Sequence, residues 1–169
     1  MASAPSDSEN VSTASAYRGF QRNKKLIQIT SSTLIYRPIT RVYEFISTPE
    51  NDFQWQYGTL ASTRLPGRAI GLGACFQSIG NFMGQRIQTT YEVTEYALNS
   101  RYGFKSLSGP LQSITSFAFD MVTGGAQVKL SMQANLINMI EFSENVMEKK
   151  MKRQFKENLA MLKNVLEGG

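Results

Sequence analysis

A change of hydrophobic period near the end of the chain constrains the fold more than any other feature. Over residues 126–136 apolar and polar side chains alternate at every position, the two-residue period of a strand with one buried face. Over residues 143–167 apolar side chains instead recur every three or four positions, which predicts an amphipathic helix. At 1.5 Å per residue that helix is roughly 37 Å long, enough to lie across a whole sheet.

The N-terminal half of the sequence predicts one strand followed by two short helices. A first strand is expected over about 26–36, where three isoleucines share one face. Pro38 then opens a short helix, because proline suits a first helical position. Thr48 is expected to cap a second short helix that carries Trp55.

About six further strands are predicted between residues 58 and 137. Turn-forming residues separate them roughly every 10–20 positions, a spacing typical of hairpins rather than of crossover helices. These breakers are Pro66-Gly67, Gly80 to Gly84, Asn99-Ser100, Gly109-Pro110 and Gly124-Gly125.

Two of these strands differ in the polarity of their predicted inner face. Segment 86–94 places Tyr91 on a mostly apolar face, opposite charged side chains. In segment 111–121 the face that carries Met121 also carries Ser113 and Thr115. Polar side chains inside an apolar face indicate a strand end or the wall of a cavity.

The predicted fold class is α+β, with a curved antiparallel sheet of about seven strands wrapped around a long C-terminal helix and two short helices after the first strand. A chain of 169 residues suits one domain. That domain is expected over 25–169. Residues 1–24 lack apolar periodicity and are rich in Ser, Ala, Asn and Thr, so they predict a disordered tail.

The absence of histidine excludes several kinds of chemistry. Ser-His and Cys-His nucleophile pairs and histidine metal sites are ruled out, so we expect neither a metal nor a cofactor. The single cysteine, Cys75, has no partner for an internal disulfide. No apolar run approaches the ~20 residues of a membrane span, and no charged-then-apolar leader opens the sequence. A cytoplasmic location is therefore predicted.

The charge pattern favours a small-molecule partner over nucleic acid. The net charge is +5, but the basic residues of the last helix are diluted by Glu144, Glu148 and Glu157. The same face also lacks aromatic residues for base stacking. We expect a monomer or a weak dimer without a nucleic-acid partner.

Several local motifs resemble the START-like, or SRPBCC, superfamily, whose architecture is called the helix-grip fold. The opening helices match as Pro38-x-x-x-Val42-Tyr43-x-Phe45-Ile46-x-x-Pro49-Glu50-Asn51-x-x-x-Trp55. The third strand matches as Gly71-Leu72-Gly73-Ala74-x-Phe76, followed by the turn Met83-Gly84. The closing helix matches as Leu159-x-x-Leu162-Lys163-x-x-Leu166-Glu167. The polyketide cyclase/dehydrase-like branch is the most similar one.

This resemblance implies a hollow between sheet and helix in which members hold sterols, lipids, polyketides, plant hormones or quinones. Each apolar side chain expected there is also an ordinary core residue. Together they favour a ligand, because a strongly curved sheet under one helix is hard to fill and methionine adapts to varied ligands. The expected ligand-binding residues are Trp55, Phe76, Tyr91, Phe104, Phe117, Met132, Met147, Met151 and Phe155.

The leading functional hypothesis is therefore the binding of a hydrophobic, ring-bearing molecule of lipid, polyketide or quinone type. A first alternative is a metal-free polyketide cyclase, aromatase or dehydratase, assisted by Tyr91, Tyr102 and Thr115. A tyrosine hydroxyl in such a site orients a carbonyl or donates a proton. A second alternative is a ribosome- or protein-interaction module.

Overall fold

The computed structural model describes residues 26–136 and 143–169. The predicted disordered tail, 1–24, lies outside the described residues. Within the described residues, ten elements follow one another. They are β1 (Ile27–Ile35), α1 (Ile39–Ile46), a 3-10 helix (Pro49–Gln54), β2 (Thr59–Arg64), β3 (Cys75–Phe82), β4 (Gln85–Ala97), β5 (Arg101–Ser106), β6 (Leu111–Val122), β7 (Gly125–Leu136) and α2 (Glu144–Gly168).

The seven strands form one antiparallel sheet in the order β1-β7-β6-β5-β4-β3-β2. Consecutive strands from β2 to β7 are joined as hairpins, and β1 pairs with β7 at the far edge. The β3–β4 turn has positive φ at both Met83 (52°) and Gly84 (79°), as a two-residue hairpin of the right twist requires. The predicted α+β helix-grip class, with about seven strands and two short helices after the first, is confirmed.

The long helix α2 packs against β1 and contributes one apolar face to the core. Its inward side chains recur every three or four residues, at the buried Met147, Met151, Leu159, Leu162 and Leu166 and the half-buried Phe155. The Ser143 hydroxyl caps the helix by accepting a hydrogen bond from the Val146 N–H at 3.3 Å. The helical period in the sequence therefore identified the buried face of α2.

The core consists of two clusters of buried side chains. The larger cluster joins β1, α1 and the central strands to the last turns of α2, around Tyr43, Phe119 and Leu162. The smaller cluster contains Ile27 and Met147 and lies at the first turns of α2. Phe155 packs against both clusters, so it lies where they meet.

Three local predictions were wrong in detail. Pro38 precedes the first helical residue rather than occupying it. The Thr48 hydroxyl does not cap the 3-10 helix, because it donates to the Glu44 carbonyl at 2.7 Å and the Thr48 carbonyl already accepts from the Asn51 N–H. Met121 is 78% exposed rather than on a buried face, because it lies beside the β6–β7 turn, beyond the covered part of the sheet.

Candidate functional site

A cavity of about 160 Å³ lies between the sheet and α2. Most of its wall is apolar, and we call it the apolar lobe. Helix α2 contributes Met151 and Phe155, and β7 contributes Leu130 and Met132. The remaining apolar side chains of the wall are Trp55, Phe82, Ile87, Tyr91, Phe104, Leu111 and Phe117.

A second space, of about 130 Å³, adjoins the apolar lobe towards β2 and β3, and we call it the Asp52 lobe. The two lobes share seven lining residues, so they are parts of one hollow. The shared residues are Gln56, Phe82, Ile87, Thr89, Tyr91, Phe104 and Gln154. Phe76 lines the Asp52 lobe but not the apolar lobe, and the same holds for Asp52, Ser78 and Asn81.

An outer groove of about 810 Å³ leads to this hollow from the protein surface. It lies between the β3–β4 turn and the exposed side of α2, where Lys150 and Arg153 line it. Phe82 and Gln154 line the groove and both lobes. The groove is therefore the natural route of access to the interior.

Two side chains of α2 form hydrogen bonds with the loop before β2, where Tyr57 lines both the Asp52 lobe and the outer groove. The Asn158 carbonyl oxygen accepts from the Tyr57 backbone N–H at 2.8 Å. The Gln154 amide donates to the Tyr57 backbone carbonyl, also at 2.8 Å. Because Gln154 and Asn158 are four residues apart, they lie on one face of the helix. Together they form hydrogen bonds with both the backbone N–H and the backbone carbonyl of Tyr57.

The apolar lobe contains a few buried polar groups. Thr89, Ser113 and Thr115 are each at most 7% exposed, and all three line the lobe. Ser113 and Thr115 therefore belong to a cavity wall rather than a strand end. Trp55 is 3% exposed, and its indole N–H has no hydrogen-bond partner among the described residues. An apolar site with a few convergent polar groups has the composition of a small-molecule pocket.

Asp52 is a buried carboxyl group that was not among the residues predicted from the sequence. It is 7% exposed and lines the lobe named after it. Burial raises its pKa well above 3.8, although a hydrogen bond from the Ser62 side chain acts in the opposite direction. The sequence held only a weak signal, the three-residue spacing between Asp52 and Trp55. Trp55 directly follows the 3-10 helix, and its backbone N–H donates to the Asp52 carbonyl at 3.1 Å.

Tyr91 occupies the position predicted for a cavity tyrosine. Its ring stacks on Phe76 at 5.1 Å and meets Phe104 edge-on at 5.1 Å. Burial raises the pKa of its hydroxyl, with a hydrogen bond from Thr89 opposing the shift. Tyr91 lines both lobes, so its hydroxyl belongs to the same hollow as the Asp52 carboxyl.

Tyr102 and Met147 do not lie where they were predicted from the sequence. Tyr102 is 2% exposed, and its ring centroid lies 6.2 Å from that of Phe117 in the larger core cluster. It lines neither lobe. Burial raises its pKa, which leaves its hydroxyl neutral. Met147 is fully buried in the smaller cluster and also lines neither lobe. The other predicted ligand-binding residues, and Thr115, surround the hollow.

Within residues 26–136 and 143–169, no group of three or more His, Cys, Asp or Glu side chains is arranged to hold a metal ion. In the same part of the chain, no helix combines the length and the apolar character needed to span a membrane.

Comparisons with known proteins identify the fold. No protein-family profile matches the sequence, and no curated protein matches it. Solved structures do match: a START superfamily protein from Mycobacterium smegmatis has a TM-score of 0.67 at 11% identity, over 83% of this chain and 97% of the other. A protein from Thermus thermophilus has a TM-score of 0.66 at 18% identity, over 83% and 94% of the two chains. Ara h 8.0201 has a TM-score of 0.65 at 9% identity, over 86% and 100%.

The architecture and these likenesses define the class of structure. The chain has the START-like helix-grip fold, with the hollow of that fold between its sheet and α2.

Proposed function

We propose that this chain binds a hydrophobic, ring-bearing small molecule of lipid, polyketide or quinone type in the hollow between its sheet and α2. The observation that carries the proposal is the apolar lobe itself, an internal space of about 160 Å³ walled by aromatic rings and methionines. The START superfamily likeness supports the same conclusion at the level of the fold.

A hollow of this size is unusual in a protein core. Interiors are close-packed, and a water molecule takes about 30 Å³ of liquid volume. An unfilled apolar space destabilises a protein in proportion to its volume, whereas a ligand that fills it restores the lost contacts. At about 160 Å³ the lobe is smaller than the ~300–1,000 Å³ typical of drug-sized ligands. The dimensions therefore favour a compact ring system or a short chain.

The test uses the fluorescence of Trp55, the only tryptophan in the sequence. A panel that runs from compact ring and short-chain compounds to polycyclic and long-chain ones should contain members that change its emission saturably, with dissociation constants at micromolar level (about −8 kcal/mol). The compact members should bind most tightly. Met132→Lys should abolish the change, because Met132 lines the apolar lobe. Gln133→Lys is the matched control, since the neighbouring side chain is exposed.

Failure of this test is also informative. If the whole panel leaves Trp55 emission unchanged in a folded protein, the hollow does not bind such ligands. The protein-interaction alternative would then be the next to examine. If Gln133→Lys abolishes the change as fully as Met132→Lys, the signal arises from the outside of the sheet.

A metal-free polyketide cyclase, aromatase or dehydratase is the second candidate function. The observation in its favour is that Tyr91 and Thr115 line the same hollow. Burial raises the pKa of Tyr91, so its hydroxyl remains a proton donor at neutral pH. Tyr102 is removed from this hypothesis, because it lines neither lobe of the hollow. Conversion of a model polyketide by wild type but not by Tyr91→Phe would support it, and equal conversion by both would contradict it.

A further inference from the structure

The two lobes of the hollow differ in chemical character. Side chains that line only the apolar lobe are mostly hydrocarbon, such as Leu130, Met132 and Phe155. Groups that line the Asp52 lobe but not the apolar lobe are mostly polar, such as Asp52, Ser78 and Asn81. A molecule that occupies both lobes must therefore be amphiphilic, with one apolar body and one polar end.

In the part of the chain that the structure describes, every other side chain that lines the Asp52 lobe is uncharged. Among the ion pairs of residues 26–136 and 143–169, none involves Asp52, although Glu50 in the same 3-10 helix pairs with Arg64 at 3.4 Å. The Ser62 hydroxyl, which favours the charged form of Asp52, is neutral and is hydrogen-bonded to the Ser78 hydroxyl at 3.2 Å. A carboxyl group has room for about four hydrogen bonds, so acceptor capacity remains at the wall of the lobe.

The side chains near the Asp52 carboxyl indicate which polar group of a ligand would fit beside it. Thr89 and Tyr91, both lining the Asp52 lobe, carry hydroxyls that donate or accept. A ligand hydroxyl also does both, because it donates to a carboxyl oxygen and accepts from a neighbouring hydroxyl. An ammonium group has three donors and no acceptor, so it could donate to the carboxyl but could not accept a hydrogen bond from either hydroxyl.

Resting on the proposed ligand-binding function, we infer that the ligand is a compact hydrophobic alcohol or phenol whose hydroxyl donates to Asp52 while its ring fills the apolar lobe. The hydroxyl lies within the reach of Tyr91, which lines both lobes. Asp52 is thus the residue that selects a hydroxyl-bearing ligand from hydrocarbons of the same shape.

The test compares three probes that share one ring system: indanol, methylindane and aminoindane. Titration calorimetry on wild-type protein should show indanol binding at least about tenfold more tightly than methylindane, as expected for a hydrogen bond to an ionisable group. Asp52→Leu, of similar shape but without polar atoms, should bind the two probes equally. Asp52→Asn should reduce the preference for indanol over methylindane, and it serves as the second variant if Asp52→Leu does not fold.

The control places the same two substitutions at Asp120. This carboxyl is exposed on the outside of the sheet, 3.8 Å from the Lys129 ammonium, so its variants should keep the wild-type preference. Equal binding of indanol and methylindane to wild type would overturn the inference while leaving the proposed binding function intact. Tighter binding of aminoindane would overturn the choice of a hydroxyl, as would a preference unchanged in both Asp52 variants. If none of the three probes binds while members of the Trp55 panel do, the inference fails and the proposed binding function stands.

Discussion

Leu162→Ala is the substitution that tests most directly how α2 is held to the sheet. Leu162 is fully buried in the larger core cluster, whereas the adjacent Met161 is 49% exposed. The substitution removes three carbons, each worth about 0.8 kcal/mol of transfer free energy, or about 2.4 kcal/mol in all. The cavity left behind adds to this cost, so the free energy of unfolding should fall by about 3–4 kcal/mol.

Urea denaturation followed by circular dichroism measures this change, and thermal unfolding should show a fall in Tm of about 10 °C. Met161→Ala is the matched control on the same turn and should change stability by less than about 0.5 kcal/mol. Phe155→Ala should cost less than a fully buried phenylalanine, because Phe155 is half-buried and already borders a cavity. A cost below about 1 kcal/mol for Leu162→Ala would contradict the packing of α2 on the sheet.

Three further substitutions test the site and the turns. Burial raises the folded-state pKa of Asp52, so the protonated carboxyl contributes its full stabilisation below pH 3.8, and this stabilisation is lost as the pH rises through the folded-state pKa. Asp52→Asn should therefore stabilise the protein more at about pH 7 than at about pH 4, as measured by urea denaturation at the two pH values. Asn158→Ala should cost about 1 kcal/mol and speed ligand release in stopped-flow experiments, because the Tyr57 N–H loses its acceptor. Gly125→Ala should cost about 1–3 kcal/mol in urea denaturation, because a Cβ there would collide with the Ile35 carbonyl.

Much of the wall of the hollow could be predicted from strand parity and from the resemblance to START-like proteins. Parity placed Phe117 and Met132 on inner faces, and both line the apolar lobe. The sequence pattern at Ser113 and Thr115 allowed two interpretations, a strand end or a cavity wall. In the structure both side chains are buried and line the apolar lobe, so they form part of a cavity wall. The depth of a residue within the fold could not be read in the same way, because parity gives the side of the sheet but not the position across it.

Tyr91 and Tyr102 show this limit most clearly. Both side chains were expected on inner faces. Tyr102 is paired with Phe117 on β6 and lies where the sheet is filled by the larger core cluster. Tyr91 is paired with Phe76 on β3 and lies beside the hollow. The difference lies in the position along the strand, because Phe104, two residues after Tyr102 on the same face of β5, lines both lobes.

The sequence by itself determined the class of fold, because hydrophobic periods are local and their apolar faces have few ways to be buried together. A strand period that gives way to a helical period was enough to predict a sheet closed by α2. Only the tertiary structure decided the chemistry of the hollow. Asp52, Tyr91 and Asn158 come from elements that are distant in sequence and meet only after folding. Their polarity was visible in the sequence, but their burial together was not, because burial is a property of the packed chain.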